Sequence, residues 1–219
     1  VFYTSGTTSR PKGVMLTHRN LVANALNFIV ALGLTDASVQ LHTIPLFHVN
    51  GWGTPHALTA VGGTHVVLRK FTPDAVFELI QRERVTLACM VPAMVTALLN
   101  SPASSSYDLS SLQNLVVGGA ASPRPLIRAV TERFGWRYTT SYGLTEASPV
   151  VLMGGLKEHL KGEPPEAQLE RLSKTGLPVL GVEVKIVDDR GEELPWDGRH
   201  VGELLVRGPT VMAGYWGDR

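Results

Sequence analysis

The sequence predicts an α/β fold: a mostly parallel, layered sheet with helices, followed by the start of an antiparallel β subdomain. Three observations predict it. Short apolar runs of strand length alternate with longer segments of helical period through most of the chain. Several of the longer segments open on a cap residue or a proline. After about Gly154 the pattern changes to apolar residues alternating with charged ones around turn signals. Strand and helix in alternation are the mark of a parallel sheet covered by helices.

The elements follow in order. Val1-Phe2-Tyr3-Thr4 reads as the end of a strand. Thr17 caps a helix with apolar positions Leu21, Val22, Ala25, Leu26, Ile29 and Leu32, and Gly33 stops it. A short strand over 39–44 ends at Pro45, and another follows over 64–69. Thr72-Pro73-Asp74 opens a helix with proline at its first position and an acid in its first turn. A buried strand over 86–91 precedes a helix from Pro92 to Leu99 and a Ser-rich loop over 101–106. Leu115-Val116-Val117 is a strand feeding Gly118-Gly119. Ser122 and Pro123 start a helix to Phe134, and 136–142 returns as a strand. Residues 157–174 are charged, contain Pro164-Pro165, and read as a surface excursion with a short helix. Val182, Val184 and Ile186 alternate with Glu183 and Lys185 before the turn Asp188-Asp189-Arg190-Gly191, and 203–207 adds a further strand. Residues 1–174 thus read as the α/β portion and 175–219 as part of the β subdomain. Parallel sheets bind ligands at the carboxyl ends of their strands. The junctions at Thr4, Gly118 and Tyr142 are therefore expected as walls of one site.

Composition narrows the function. Of 219 residues, 44% are hydrophobic and 18% charged, which supplies a core and excludes disorder, collagen and a coiled coil. Lys plus Arg is 20 against 19 Asp plus Glu, a net charge of +1, so no nucleic-acid partner is expected. One cysteine excludes an internal disulfide framework and a cysteine-rich metal site. The longest apolar stretch, 21–34, is broken by Asn24 and Asn27 and is too short to span a bilayer.

The most informative stretch is Tyr3-Thr4-Ser5-Gly6-Thr7-Thr8-Ser9-Arg10-Pro11-Lys12-Gly13. Four hydroxyl residues lie between positions 4 and 8 around a glycine. Hydroxyls and exposed backbone N–H groups donate to phosphate oxygens, and glycine lets the backbone come close. Lys12 adds a mobile positive charge. This is not a Walker A loop, which has glycine before the lysine and Ser/Thr after it; here Pro11 and Gly13 stand there. Downstream, Tyr142-Gly143-Leu144-Thr145-Glu146 joins a stacking face, a glycine, a hydroxyl and a carboxylate suited to Mg²⁺. Trp52, four residues beyond His48, either lines an apolar channel or is plain core.

Both motifs, in this order, resemble the adenylate-forming superfamily of acyl-CoA synthetases, peptide-synthetase adenylation domains and luciferases. Pro45-Leu46-Phe47-His48 resembles its aromatic-histidine signature, and Val117-Gly118-Gly119-Ala120-Ala121 its glycine-rich strand end. The stretches from Thr175, from Val201 and at Tyr215-Trp216 resemble the β portion of the same large domain, so the resemblance runs along the whole chain. The departure is Ser9, where the family has glycine; it is expected to reshape the loop tip modestly.

The resemblance implies two steps. A carboxylate attacks the α-phosphate of ATP to give acyl-AMP and pyrophosphate, and the thiol of coenzyme A then displaces AMP. It implies catalytic roles for Lys12, His48, Thr145 and Glu146. ATP is expected at Thr4, Ser5, Gly6, Thr7, Thr8, Lys12, Gly118, Gly119, Ala120, Ser141, Tyr142, Gly143 and Thr145, and Mg²⁺ at Thr4 and Glu146. The acid is expected at Phe47, His48, Trp52, Gly119 and Gly143. A medium- or long-chain fatty acid is expected, with aryl or amino acids as the alternative. The family also has a ribose-binding aspartate and a C-terminal catalytic lysine beyond the matched motifs. These residues are thus expected to be a central piece of a longer cytoplasmic ligase, with little activity alone and with membrane association left open. A module that only binds ATP is the other class; Pro11 and Gly13 argue against a P-loop NTPase.

Overall fold

The structure, a computed structural model, describes residues 1–5 and 10–217, apart from the side chains of Asn50 and Trp52. Strands β1 (Phe2–Thr4) and β2 (Lys12–Met15) form an antiparallel hairpin in which Thr4 lies opposite Lys12. Helix α1 (His18–Leu32) follows. The Thr17 hydroxyl accepts from the Asn20 N–H, the Asn20 side chain closes the capping box, and Gly33 ends the helix at φ 64°.

A run of strand–helix units comes next: β3 (Val39–His42), α2 (Val49–Ala60), β4 (Thr64–Val67), α3 (Pro73–Glu83), β5 (Leu87–Met90), α4 (Pro92–Asn100), β6 (Asn114–Val117), α5 (Arg124–Phe134) and β7 (Arg137–Gly143). The chain continues through β8 (Val150–Met153), α6 (Pro165–Leu172), β9 (Leu177–Pro178), β10 (Glu183–Val187), β11 (Glu203–Arg207) and β12 (Gly214–Tyr215). Seven strands make one sheet in the order β4-β3-β5-β6-β7-β8-β9. Its pairs from β4 to β7 are parallel, and β8 and β9 add antiparallel. The α/β class follows as the alternation predicts.

Both faces of this sheet are buried, and strand geometry sorts the side chains between them. Ala88, Met90, Leu115 and Val117 join Leu41, Phe77, Ile80, Trp136 and Tyr138 in one cluster. Their neighbours Leu87, Cys89 and Val116 join Ala25, Phe28 and Val151 in the other.

Four features depart from the sequence reading. Helix α1 does not bury all of its apolar stripe: Val22 is 59% exposed and Leu26 55%, whereas Asn20, Asn24 and Asn27 are buried. For Asn20 and Asn24 the reason is polar pairing, whereas the buried Asn27 Nδ2 has no hydrogen-bond partner among the described residues. Asn20 donates to the carbonyls of Pro209 (2.7 Å) and Val211 (2.8 Å). Asn24 donates to the Gly53 carbonyl (3.1 Å) and accepts from the Val150 N–H (3.4 Å). The Ser-rich stretch is not irregular: Pro102–Ser106 is a 3₁₀ helix, tied down by Arg133, which donates to the Ser101 carbonyl (3.1 Å) and the Ser104 hydroxyl (2.6 Å). The excursion over 157–174 is anchored, because Leu169 is buried in the core and Glu166 and Glu170 of α6 pair with Arg128 and Arg124 of α5. Hydrogen bonding also crosses residue 174: β9 extends the large sheet, and β12 pairs with β2. Among the described strands beyond residue 174, only β10 and β11 pair solely with each other. No helix among the described residues is long and apolar enough to cross a membrane.

Candidate active site

The carboxyl ends of β6 and β7 and the entry to α2 enclose a cavity of about 60 Å³, lined by His48, Gly119, Ser141, Tyr142, Gly143 and Pro149 among others. Its walls are shaped by backbone. Beyond β6 the Gly118 N–H bonds to the Met90 carbonyl (3.2 Å), and Gly119 turns away at φ 83°, in the region that favours glycine. In β7 the register slips between Tyr142 and Gly143. A Cβ on Gly143 would sit 1.8 Å from the Pro149 carbonyl oxygen, so no other residue fits without moving backbone. The Leu144 N–H binds that same oxygen at 2.9 Å.

Thr145–Ala147 then form one 3₁₀ turn, ended by Ser148 in the left-handed region (φ 71°). Such a conformation is costly for serine and is held here by pairing. Ser148 is fully buried, its N–H bonds to the Thr145 carbonyl (3.3 Å), and its hydroxyl donates to the Thr210 carbonyl (2.7 Å).

A second constellation lies where β2, the 145–147 turn and β12 meet. The Lys12 ammonium stands 4.9 Å from the centre of the Tyr215 ring. The Tyr215 hydroxyl donates to Glu146 Oε1 at 2.8 Å. Backbone bonds hold the three segments together: Met212 N–H to the Glu146 carbonyl (2.8 Å), Ala213 N–H to Met15 (2.9 Å) and Trp216 N–H to Gly13 (2.7 Å). Sequence reasoning had given Tyr215 no direct role. Its phenol reaching a carboxylate far away in sequence left no local signal.

The other expected site residues divide. Gly119, Ser141, Tyr142, Gly143 and His48 meet around the cavity, and Gly118 is buried behind it. Lys12 and Glu146 meet on Tyr215. Thr145 is half-buried beside Glu146, and Ala120 is exposed beyond Gly119. Phe47 is 86% exposed and does not line the cavity; the His48 N–H closes a turn on the Pro45 carbonyl (3.0 Å) that brings His48 there instead. Thr4 does not end a parallel strand, as expected from the sheet argument. It ends β1 of the antiparallel sheet β1-β2-β12, set at the site by its pairing with Lys12. Ser5 follows it and is exposed. Gly6, Thr7, Thr8, Ser9 and the Trp52 side chain lie outside the described residues.

The donor set fits magnesium held through a nucleotide. Among the described residues no group of three or more His, Cys, Asp or Glu side chains could cage a metal ion. Mg²⁺ takes one or two carboxylates and completes its shell with phosphate and water. Glu146 keeps Oε2 and spare lone pairs beside its one bond from Tyr215. Cys89 is no nucleophile, because burial pushes its thiol up to about 12.

The chain matches the model of the AMP-binding enzyme family over residues 1–216. A long-chain-fatty-acid–CoA ligase of Thermus thermophilus is 40% identical, covering 99% of this chain and 40% of that protein. A feruloyl-CoA synthase of Amycolatopsis is 38% identical, covering 99% of this chain and 42% of that protein. An o-succinylbenzoate coenzyme A synthetase of Bacillus subtilis, solved with ATP and a magnesium ion, superposes with a TM-score of 0.85 at 31% identity; 99% of this chain and 42% of that one are covered. The chain spans about two fifths of the length of these relatives. With the β1-β2 hairpin, the glycine-lined strand ends and the Glu146 turn in one fold whose sequence matches the family model over residues 1–216, the chain belongs to the AMP-binding enzyme family.

Proposed function

We propose that the protein containing this chain is an AMP-forming acid–thiol ligase. In the first step a carboxylate oxygen attacks the α-phosphorus of ATP, the bond to the bridging oxygen breaks, and pyrophosphate leaves. In the second, the sulfur of coenzyme A attacks the acyl carbonyl, AMP leaves with the bonding electron pair, and the thiol proton passes to solvent. The observation that carries this reading is the meeting of Lys12 and Glu146 on Tyr215, one end of a site whose other end is the glycine-lined cavity.

Each step asks little acid–base chemistry of the protein. A carboxylic acid is already ionised at neutral pH, so the first nucleophile needs no general base. Lys12 draws the phosphate oxygens and offsets the charge that builds on the departing pyrophosphate. Thr145 offers a hydroxyl to phosphate. Gly119 and Gly143 let the adenylate lie against backbone, and the half-exposed Tyr142 ring offers a face to the purine. His48 holds the entry where the acyl group would lie. Mg²⁺, when bound, neutralises phosphate charge, and Glu146 is the side chain that would hold it. The acid we propose is a medium- or long-chain fatty acid, supported by the name of the Thermus relative.

The test is acid-dependent ATP–pyrophosphate exchange by the full-length protein across fatty, aryl and amino acids. Exchange is expected with fatty acids, and Lys12→Ala should lower it by about 100- to 1,000-fold. Unchanged exchange in that variant overturns the site, phosphate release without any acid overturns the ligase reading, and exchange confined to aryl or amino acids overturns the proposed acid.

A further inference from the structure

Lys12 and Glu146 carry opposite charges and share a neighbour, yet among the described residues no ion pair joins them; Tyr215 stands between. Its ring faces the ammonium, and its hydroxyl holds one carboxylate oxygen. A cation over an aromatic face within about 6 Å is attracted by the ring quadrupole. A hydrogen bond to a carboxylate fixes its rotamer while leaving its second oxygen available. Direct pairing of the two charges would cancel both before phosphate or cation arrived.

Tyr215 is itself held from both sides. Its strand β12 pairs with β2 in the register Tyr215 opposite Val14, and Val14 is fully buried. On one flank Trp216 N–H bonds to Gly13, next to Lys12; on the other Met212 N–H bonds to the carbonyl of Glu146. The backbones of both charged residues are thus tied to the short segment that carries the tyrosine.

We propose that Tyr215 is a positioning residue that keeps Lys12 and Glu146 apart and pre-oriented, the one toward phosphate and the other toward the divalent cation. The inference rests on the roles given above to those two residues. The hydroxyl serves the cation side, and the ring serves the phosphate side. The two halves are separable: Tyr215→Phe removes only the hydroxyl, whereas Tyr215→Leu removes hydroxyl and ring.

The experiment uses the full-length protein, with Mn²⁺ as a spectroscopic probe. Mn²⁺ binding in the presence of ATP is followed by electron paramagnetic resonance, ATP binding by calorimetry, and pyrophosphate exchange is run beside them. Lys12→Ala and Glu146→Gln serve as references, and thermal unfolding is recorded for every variant. Tyr215→Phe should weaken Mn²⁺ binding by about tenfold, with ATP affinity within about twofold and Tm unchanged. Tyr215→Leu should weaken ATP binding by a further factor of about five. If the references are impaired and both Tyr215 variants bind Mn²⁺ and ATP normally, the positioning role is overturned while the site stands. Equal losses of both ligands in Tyr215→Phe, with a fall in Tm, overturn it too, because packing alone would then explain them. Normal binding in the references overturns the reading of the site itself. Should Tyr215→Leu fail to fold, Tyr215→Phe still decides.

Discussion

The seven-stranded sheet and the three-stranded sheet β1-β2-β12 are built by opposite means. In the large sheet most strands are followed by a covering helix, and neighbouring strands come from nearby stretches of chain. The small sheet takes β1 and β2 from residues 2–15 and β12 from residues 214–215. The large sheet buries Trp136, Tyr138, Leu41 and Ile80 almost completely. The small one brings few such side chains but holds Lys12, and through Tyr215 it reaches Glu146. Burial on that scale stabilises a whole domain. A two-residue strand held by backbone bonds opens at much lower free energy. The scaffold therefore sets stability, and the clasp sets the relative position of the charged groups.

The largest effect is expected at Trp136. It is 1% exposed, stacks on Phe134 with ring centres 4.3 Å apart, and donates from Nε1 to the Leu109 carbonyl (3.2 Å). Trp136→Ala should cost about 3–5 kcal/mol in urea unfolding. The clasp should unfold along with the sheet, since β2 has no core of comparable size. A clasp that keeps its hydrogen-exchange protection in this variant would show that the small sheet stands alone.

A smaller effect comes from His42, at the carboxyl end of β3. It is buried, its Nε2 lies 2.9 Å from Nδ1 of His65, and the rings stack 5.1 Å apart. Burial first, and the charge of His65 second, lower its pKa from 6.5 to about 4. The folded state therefore binds fewer protons than the unfolded state between those values. Stability is full above about pH 6.5 and falls as pH drops toward 4, by about 3 kcal/mol in all. Urea unfolding at pH 7.5 and pH 5 should show part of this loss, and His42→Gln should flatten it. An unchanged slope in that variant would assign the effect to another group.

What the sequence made legible follows the same division. Thr17, Thr72 and Gly33 mark helix ends through chemistry confined to a few residues, and the structure has them as caps. Strands β3 to β7 could be read because β-branched and apolar runs sit between proline and glycine. The Tyr142 to Glu146 stretch was legible as a motif for a similar reason, since its chemistry is contiguous. Strands β2, β8 and β12 carried no comparable mark: their pairing partners lie elsewhere in the chain, and register is set by those partners. The α1 asparagines misled for the same cause. A polar residue at an inward position looks like a break in the stripe until its distant carbonyl partners are known. Phe47 shows the converse, an aromatic in a recognisable motif that the backbone turn leaves in solvent.

Asn20 gives the finest separation of the two regions, because it belongs to α1 yet bonds to the segment that leads into the clasp. It is 4% exposed. Its amide donates to the Pro209 and Val211 carbonyls, and its Oδ1 accepts from the Thr17 N–H (2.8 Å) and hydroxyl (2.9 Å). Asn20→Ala strips two half-buried carbonyls of their donor and costs α1 half of its capping box. The expected loss is about 1–3 kcal/mol. It should fall unevenly: the segment freed is the one that leads into β12. Hydrogen exchange should therefore quicken at the Ala213 and Trp216 amides, which bond to Met15 and Gly13, while the amides of β6 stay protected. Asn20→Asp keeps both acceptor bonds to Thr17 but sets a carboxylate against two carbonyls, so it should open the clasp at least as far. Equal acceleration in β6 and β12 would mean that the two sheets unfold as one unit, and the division between scaffold and clasp would fail.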